Sequence, residues 1–114
     1  MQHANLTAER WSQFSLGQQL LMIANEMNRA ARFYGPPDRS SLQLSLERVL
    51  NLVDATVSAT TRPGLRRELL RWRDLVAREY IAAEPDRTRH LVNFRALLML
   101  HPDTYLQVRA GLLD

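Results

Sequence analysis

Between Leu65 and Ala83 the chain reads LRRELLRWRDLVAREYIAA, with apolar residues Leu65, Leu69, Trp72, Val76 and Tyr80 at spacings of four, three, four and four. A repeat near 3.6 residues puts all five on one side of an α-helix. A strand, with its period of two, would scatter them over both faces. Arginines and carboxylates fill most other positions, so the segment reads as a helix with one buried face and a charged exterior.

The same period runs through two earlier segments. From Leu16 to Tyr34 the apolar face is Leu16, Leu20, Ile23, Met27, Ala30 and Tyr34. Ser15 and Gln18 have capping-box spacing at its start, and Gly35-Pro36-Pro37 ends it, because proline cannot continue the hydrogen-bond ladder. From about Ser41 to Ala59, Leu42, Leu46, Val49, Leu50, Val53 and Val57 form the core face, and Ser40 with Gln43 repeats the capping spacing. The hydroxyl-rich stretch VSATTRPG, residues 57–64, then marks a turn. Pro63 suits the first turn of the third helix, where its missing amide costs nothing. That helix is expected to end near Ala83, before Pro85. A fourth, from about Arg87 to Leu100, carries Leu91, Phe94, Leu97 and Leu98, and His101-Pro102-Asp103 breaks it. A short fifth segment spans Thr104 to Leu113. No stretch shows sustained alternation with hairpin turns. The expected fold is all-α: an antiparallel helical bundle of three long helices plus two shorter C-terminal helices. It forms one domain over residues 1–114, with 1–14 as an N-terminal extension. Leu20, Ile23, Met27, Val49, Val53, Leu69, Trp72 and Val76 are expected to be buried together.

A chain of 114 residues with 46% hydrophobic content suffices for one core. It has no cysteine, which excludes disulfides and thiolate metal sites and suits a cytoplasmic setting, the expected compartment. The first residues, MQHANLTAERW, lack a basic region followed by an apolar run, so no signal peptide is expected. No apolar run approaches the roughly 20 residues that cross a bilayer. All 15 basic residues are arginine, a bias that a GC-rich genome would produce by itself. The net charge is only +3. Residues 63–86 hold five arginines against Glu68, Asp74, Glu79, Glu84 and Asp86, so the arginine-rich helix is close to neutral. A phosphate-binding helix more often shows an uncompensated stripe.

The stretch WSQFSLGQQLLMIANEMNRA, residues 11–30, carries a Trp, then Gln-Leu, then Ile-x-x-Glu-x-x-Arg-Ala. It resembles a family of short bacterial helical proteins. The resemblance continues through Leu46-Glu47-Arg48, Leu52-x-Asp54-x-Thr56 and the run from Leu65 to Asp74. It covers about residues 11–80, implies an all-helical domain, and implies no activity.

Several polar residues are candidates for more than solvation. Glu26 and Arg29 lie one turn apart beside the first core face, Asp54 flanks the second, and Arg71 and Asp74 lie one turn apart on the third helix with Arg73 between them. Together they could form an interhelical polar cluster that fixes register. The plainer reading is a set of surface pairs worth a few tenths of a kcal/mol each. A di-iron bundle needs Glu-x-x-His pairs, but Glu26 is followed at that spacing by Arg29, and Glu47 by Leu50. His3, His90 and His101 fall outside the main helices. No metal site and no cofactor are expected. No glycine-rich phosphate loop or nucleophile elbow is present.

Two chemistries keep a place. Arg95 and His101 have five residues between them, which resembles the Arg-x(4–6)-His signature of HEPN ribonucleases. That resemblance implies His101 as general acid or base and Arg95 as a stabiliser of phosphate charge. The first intervening residue, usually polar in that family, is Ala96 here. The alternative makes Arg95 a solvated residue and His101 a helix terminator. Nucleic-acid binding without catalysis would use Arg67, Arg71 and Arg78 on one helix face, interrupted by Asp74, with Arg87, Arg89 and Arg95 beyond. Trp72 could stack on a base but falls on the apolar stripe.

The composition favours a third reading, a non-catalytic helical interaction protein acting through self-association or a protein partner. Leu44 and Leu52 fall off the main face of the second helix, and Met99 and Leu100 off that of the fourth. The tail from Tyr105 to Leu113 is apolar as well. Such surface calls for a partner, and a homo-oligomer, most simply a dimer, is the expected state.

Overall fold

The computed structural model describes residues 7–101. Five α-helices follow one another: α1 (Ala8–Trp11), α2 (Leu16–Ala30), α3 (Arg39–Ala59), α4 (Pro63–Ile81) and α5 (Arg87–Leu98). There is no strand among the described residues. The fold is all-α, as the spacing of apolar residues requires. The segment from Thr104 to Leu113 lies outside the described residues.

Local chemistry sets the helix ends. At the start of α2 the Gln18 amide donates to Ser15 Oγ over 3.1 Å and the Ser15 amide to Gln18 Oε1 over 2.9 Å, completing the capping box. The α-helix stops at Ala30, earlier than the sequence suggests, and tightens into a 3₁₀ turn over Ala31–Phe33. A second such turn over Pro36–Asp38 runs straight into α3. Asp38 therefore holds the N-cap position of α3 without a side-chain cap, and the expected Ser40–Gln43 box does not form because Ser40 already lies inside the helix. Pro63 opens α4, and α4 ends at Ile81 instead of Ala83. Asp86 caps α5, accepting from the Thr88 amide at 3.0 Å.

Four helices close into a ring. α2 packs on α3 and α5, and α4 packs on the same two. Side chains that bridge them join early residues of one helix to late residues of the next. Tyr80 reaches Glu47 and Arg73 reaches Asp54 between α4 and α3. Trp72 reaches Asn93 and Glu79 reaches Arg89 between α4 and α5. His90 meets Met27 between α5 and α2. Each neighbouring pair is thus antiparallel. All eight residues expected in the core belong to one buried cluster.

Two parts of the core differ from expectation. Leu52 is buried within the common core; only Leu44 of the two off-face leucines is exposed. The N-terminal stretch, expected as an extension, reaches the core at Trp11, which is fully buried. Its indole N–H donates to Thr56 Oγ1 at 2.9 Å, and Gln19 Nε2 donates to the carbonyls of Trp11 and Phe14. Residues 7–14 therefore close one end of the ring.

Candidate functional site

The most organised polar chemistry sits at the other end, where the α2–α3 and α4–α5 turns meet. Glu79, on the last turn of α4, is 2% exposed. Three donors surround its carboxylate. Tyr34 Oη donates to Oε2 at 2.8 Å, the Asp86 amide to Oε2 at 2.8 Å, and Arg89 Nε to Oε1 at 3.0 Å. Arg89 Nη2 also donates to the Glu84 carbonyl at 3.1 Å. A buried carboxylate is tolerated when a cation and hydrogen-bond donors replace its water, and Glu79 has both. Burial, and then the bond to Glu79, pushes the Tyr34 phenol well above its usual value.

Beside Tyr34 lies His90, whose ring centroid is 5.2 Å from the phenol ring. His90 Nε2 is 2.8 Å from the Met27 carbonyl. A carbonyl only accepts, so this nitrogen carries the proton. Burial pushes the imidazole below its ordinary value, against the opposite pull of the Met27 carbonyl.

An open cleft of about 670 Å³ lies outside this cluster, with Phe33, Tyr34, Arg39, Asp86, Arg87 and Arg89 among its walls. Its arginines are engaged. Arg39 donates to the carbonyls of Ala82 and Ala83, just beyond the end of α4, at 3.0 Å each. Arg87 Nε donates to the Ala31 carbonyl beyond α2 at 3.2 Å. Glu84 and Asp86 line the same space. The arrangement is a latch that ties two turns together. Glu79 has its oxygens occupied and His90 is sealed from solvent, so neither is placed to move a proton of a bound substrate.

The five residues considered as one polar cluster occupy separate places. Glu26 lies 3.5 Å from Arg29 and 3.9 Å from Arg48 of α3. Asp54 pairs across to α4, with Arg73. Arg71 pairs with Glu68 on its own helix at 2.9 Å. Asp74 is exposed, and no ion pair joins it to a described residue. Two links are interhelical, but no single cluster forms. Of the ribonuclease candidates, Arg95 is exposed on α5, while the His101 ring lies against α2: a Cβ added to Gly17 would stand 3.3 Å from His101 Cε1. Trp72 is buried and its indole N–H donates to the Asn93 carbonyl at 2.7 Å, so it presents no stacking face. Among the described residues no three His, Asp or Glu side chains converge as metal ligands, and no helix is long and apolar enough to cross a membrane.

A second feature is the outward surface of α4 and α5. On α4, Arg67, Arg71, Leu75 and Arg78 follow at spacings of four, four and three and are all exposed. Val92 and Arg95 of α5 and Met99, its C-cap, are exposed, Val92 by 62% and Met99 by 70%. The links Trp72–Asn93 and Glu79–Arg89 fix the register. Leu75 falls between them on α4, and Leu91 and Val92 fall between them on α5. Apolar residues of both helices therefore stand at one level.

The residues of the latch escaped sequence reasoning. Tyr34, Glu79, Arg89 and His90 are scattered over three segments, and Tyr34 read as a core residue. Glu79 carried the one available signal, a carboxylate three residues after Val76 on the core side of its helix. Comparison of the chain with family models, with curated proteins and with solved structures finds no match in any of the three.

Proposed function

We propose that this chain is a non-catalytic helical interaction protein that works by association, with itself or with another protein, through the outward surface of α4 and α5. The observation that carries the reading is the exposure of Val92 and Met99 on a helix whose opposite side is already committed to the core. A helix that needs only one apolar face to hold the bundle gains nothing in stability from a second. Exposed apolar groups clustered in this way are characteristic of interaction surfaces. The latch residues support the reading from the other side, since their hydrogen bonds are consumed in holding turns together. Leu52 of α3 is buried and offers nothing to a partner, whereas Val92 and Met99 stay exposed.

The test is sedimentation of the full chain over a wide concentration range, alone and with extract fractions. The double variant Val92→Glu, Met99→Glu should keep the helical spectrum and unfolding midpoint of the parent and lose its association. Association unchanged by both substitutions would overturn the proposal.

A further inference from the structure

We propose that the outward α4–α5 surface docks an amphipathic helix of a partner protein whose apolar stripe is flanked by carboxylates. This rests on the reading of the chain as an interaction protein and adds the chemistry of the partner. Val92 and Met99 lie seven residues apart, which is about 10 Å along α5. With Leu75 level with Val92 across the helix pair, the apolar strip matches two turns of a visiting helix. Recognition of this kind uses anchors at positions i, i+3 or i+4, and i+7 of the visitor.

The charges select among occupants. Arg71 is bound to Glu68, and Arg89 to buried Glu79. Among the described residues, Arg67, Arg78 and Arg95 make no ion pair around the strip, where Asp74 is the opposing carboxylate. Guanidinium forks fit carboxylates in two-point contacts. A second copy joined by a two-fold axis would set the surface against itself and bring arginines together. A nucleic acid would match the arginines and leave Leu75, Val92 and Met99 uncovered. Among the described residues this surface offers no aromatic side chain for stacking bases, since Trp72 is buried.

The experiment measures fluorescence anisotropy of three labelled helical peptides with the full chain. The first has a leucine stripe at i, i+3, i+4 and i+7 flanked by glutamates. The second has the same stripe flanked by lysines. The third keeps the glutamates and replaces the leucines by glutamine. The first peptide should bind at least about tenfold tighter than the other two and weaken as salt is raised. Val92→Ser and the double variant Arg78→Ala, Arg95→Ala should each weaken it about fivefold or more, with the helical spectrum and unfolding midpoint unchanged. Equal binding of the lysine peptide, or indifference to these substitutions, would overturn the proposal. So would binding of an RNA oligomer that needs the arginines and ignores Val92. Sedimentation of the chain alone separates the two readings. Self-association abolished by Val92→Glu, without peptide binding, overturns the acidic partner and leaves the interaction reading standing. Neither association nor peptide binding overturns both.

Discussion

The indole of Trp11 donates a hydrogen bond to the hydroxyl of Thr56, 2.9 Å away and 45 positions later in the chain. The same hydroxyl donates to the Leu52 carbonyl at 2.9 Å, so both of its roles are filled inside the core. This bond docks the first described residues onto α3. Trp11→Phe keeps most of the apolar area and loses the donor, and should cost about 1–2 kcal/mol. Trp11→Ala should cost about 3–5 kcal/mol. Urea unfolding of the full chain measures both. Parent stability in either variant would mean that the segment does not hold the bundle.

Glu79 should behave as a structural carboxylate. Glu79→Gln retains the size and turns an acceptor into a donor that faces the Tyr34 hydroxyl, the Asp86 amide and Arg89. A loss of about 2 kcal/mol is expected, reduced from the fully buried case because Arg89 is half-exposed. Urea unfolding of the variant measures this loss, and a midpoint equal to the parent's would contradict the described latch.

His90 makes stability depend on pH in a definite direction. Its folded value is lowered, chiefly by burial, with Glu79 opposing and Arg87 adding to the shift. As pH falls through the ordinary histidine value of about 6.5, the unfolded chain takes up a proton that the folded chain resists. The contribution is therefore present above that value and lost below it. The urea midpoint should drop between pH 7.5 and pH 5.5, and His90→Gln, whose amide can still donate to Met27, should reduce the drop. Identical pH profiles for parent and variant would refute this.

Ser45 is fully buried on α3, three residues before Arg48, which reaches α2, and its hydroxyl has no hydrogen-bond partner among the described residues. Removing an unsatisfied buried hydroxyl while keeping the small size relieves a cost. Ser45→Ala should be neutral or stabilise by up to about 1 kcal/mol, while Ser45→Leu should destabilise by about 1–3 kcal/mol through overpacking. A thermal midpoint that falls on Ser45→Ala would show that the hydroxyl is satisfied in solution.

The bundle was legible because its helices announce themselves in one dimension. Leu20, Ile23 and Met27, or Leu69, Trp72 and Val76, need only their own spacing to define a face. Helix ends were legible where the capping partners are local, as at Ser15 and Gln18. They were misread at Ser40, where a turn of Pro36–Asp38 set the start of α3 earlier. Partners distant in the chain were not legible. Nothing in the pattern couples Trp11 to Thr56, or Tyr34 to Glu79 and Arg89. Glu26 and Asp54, which flank core faces in the sequence, pair with Arg48 and Arg73 of neighbouring helices, while Arg71 pairs with Glu68 on its own helix, and the sequence shows none of these choices. The outward surface was half legible. Met99 was marked as surplus apolar surface, while Val92 gained meaning only when the register placed it level with Leu75.

The chain contains no cysteine, so a single introduced thiol reports from one place. An environment-sensitive fluorophore on Val92→Cys, with the exposed α3 position Ser58→Cys as the control, tests association through the α4–α5 surface most directly. The emission at position 92 should shift to the blue as the full chain is concentrated or as the glutamate-flanked peptide is added, while position 58 stays solvent-like. A label at position 92 that remains as solvated as the one at position 58 under both conditions would contradict the account.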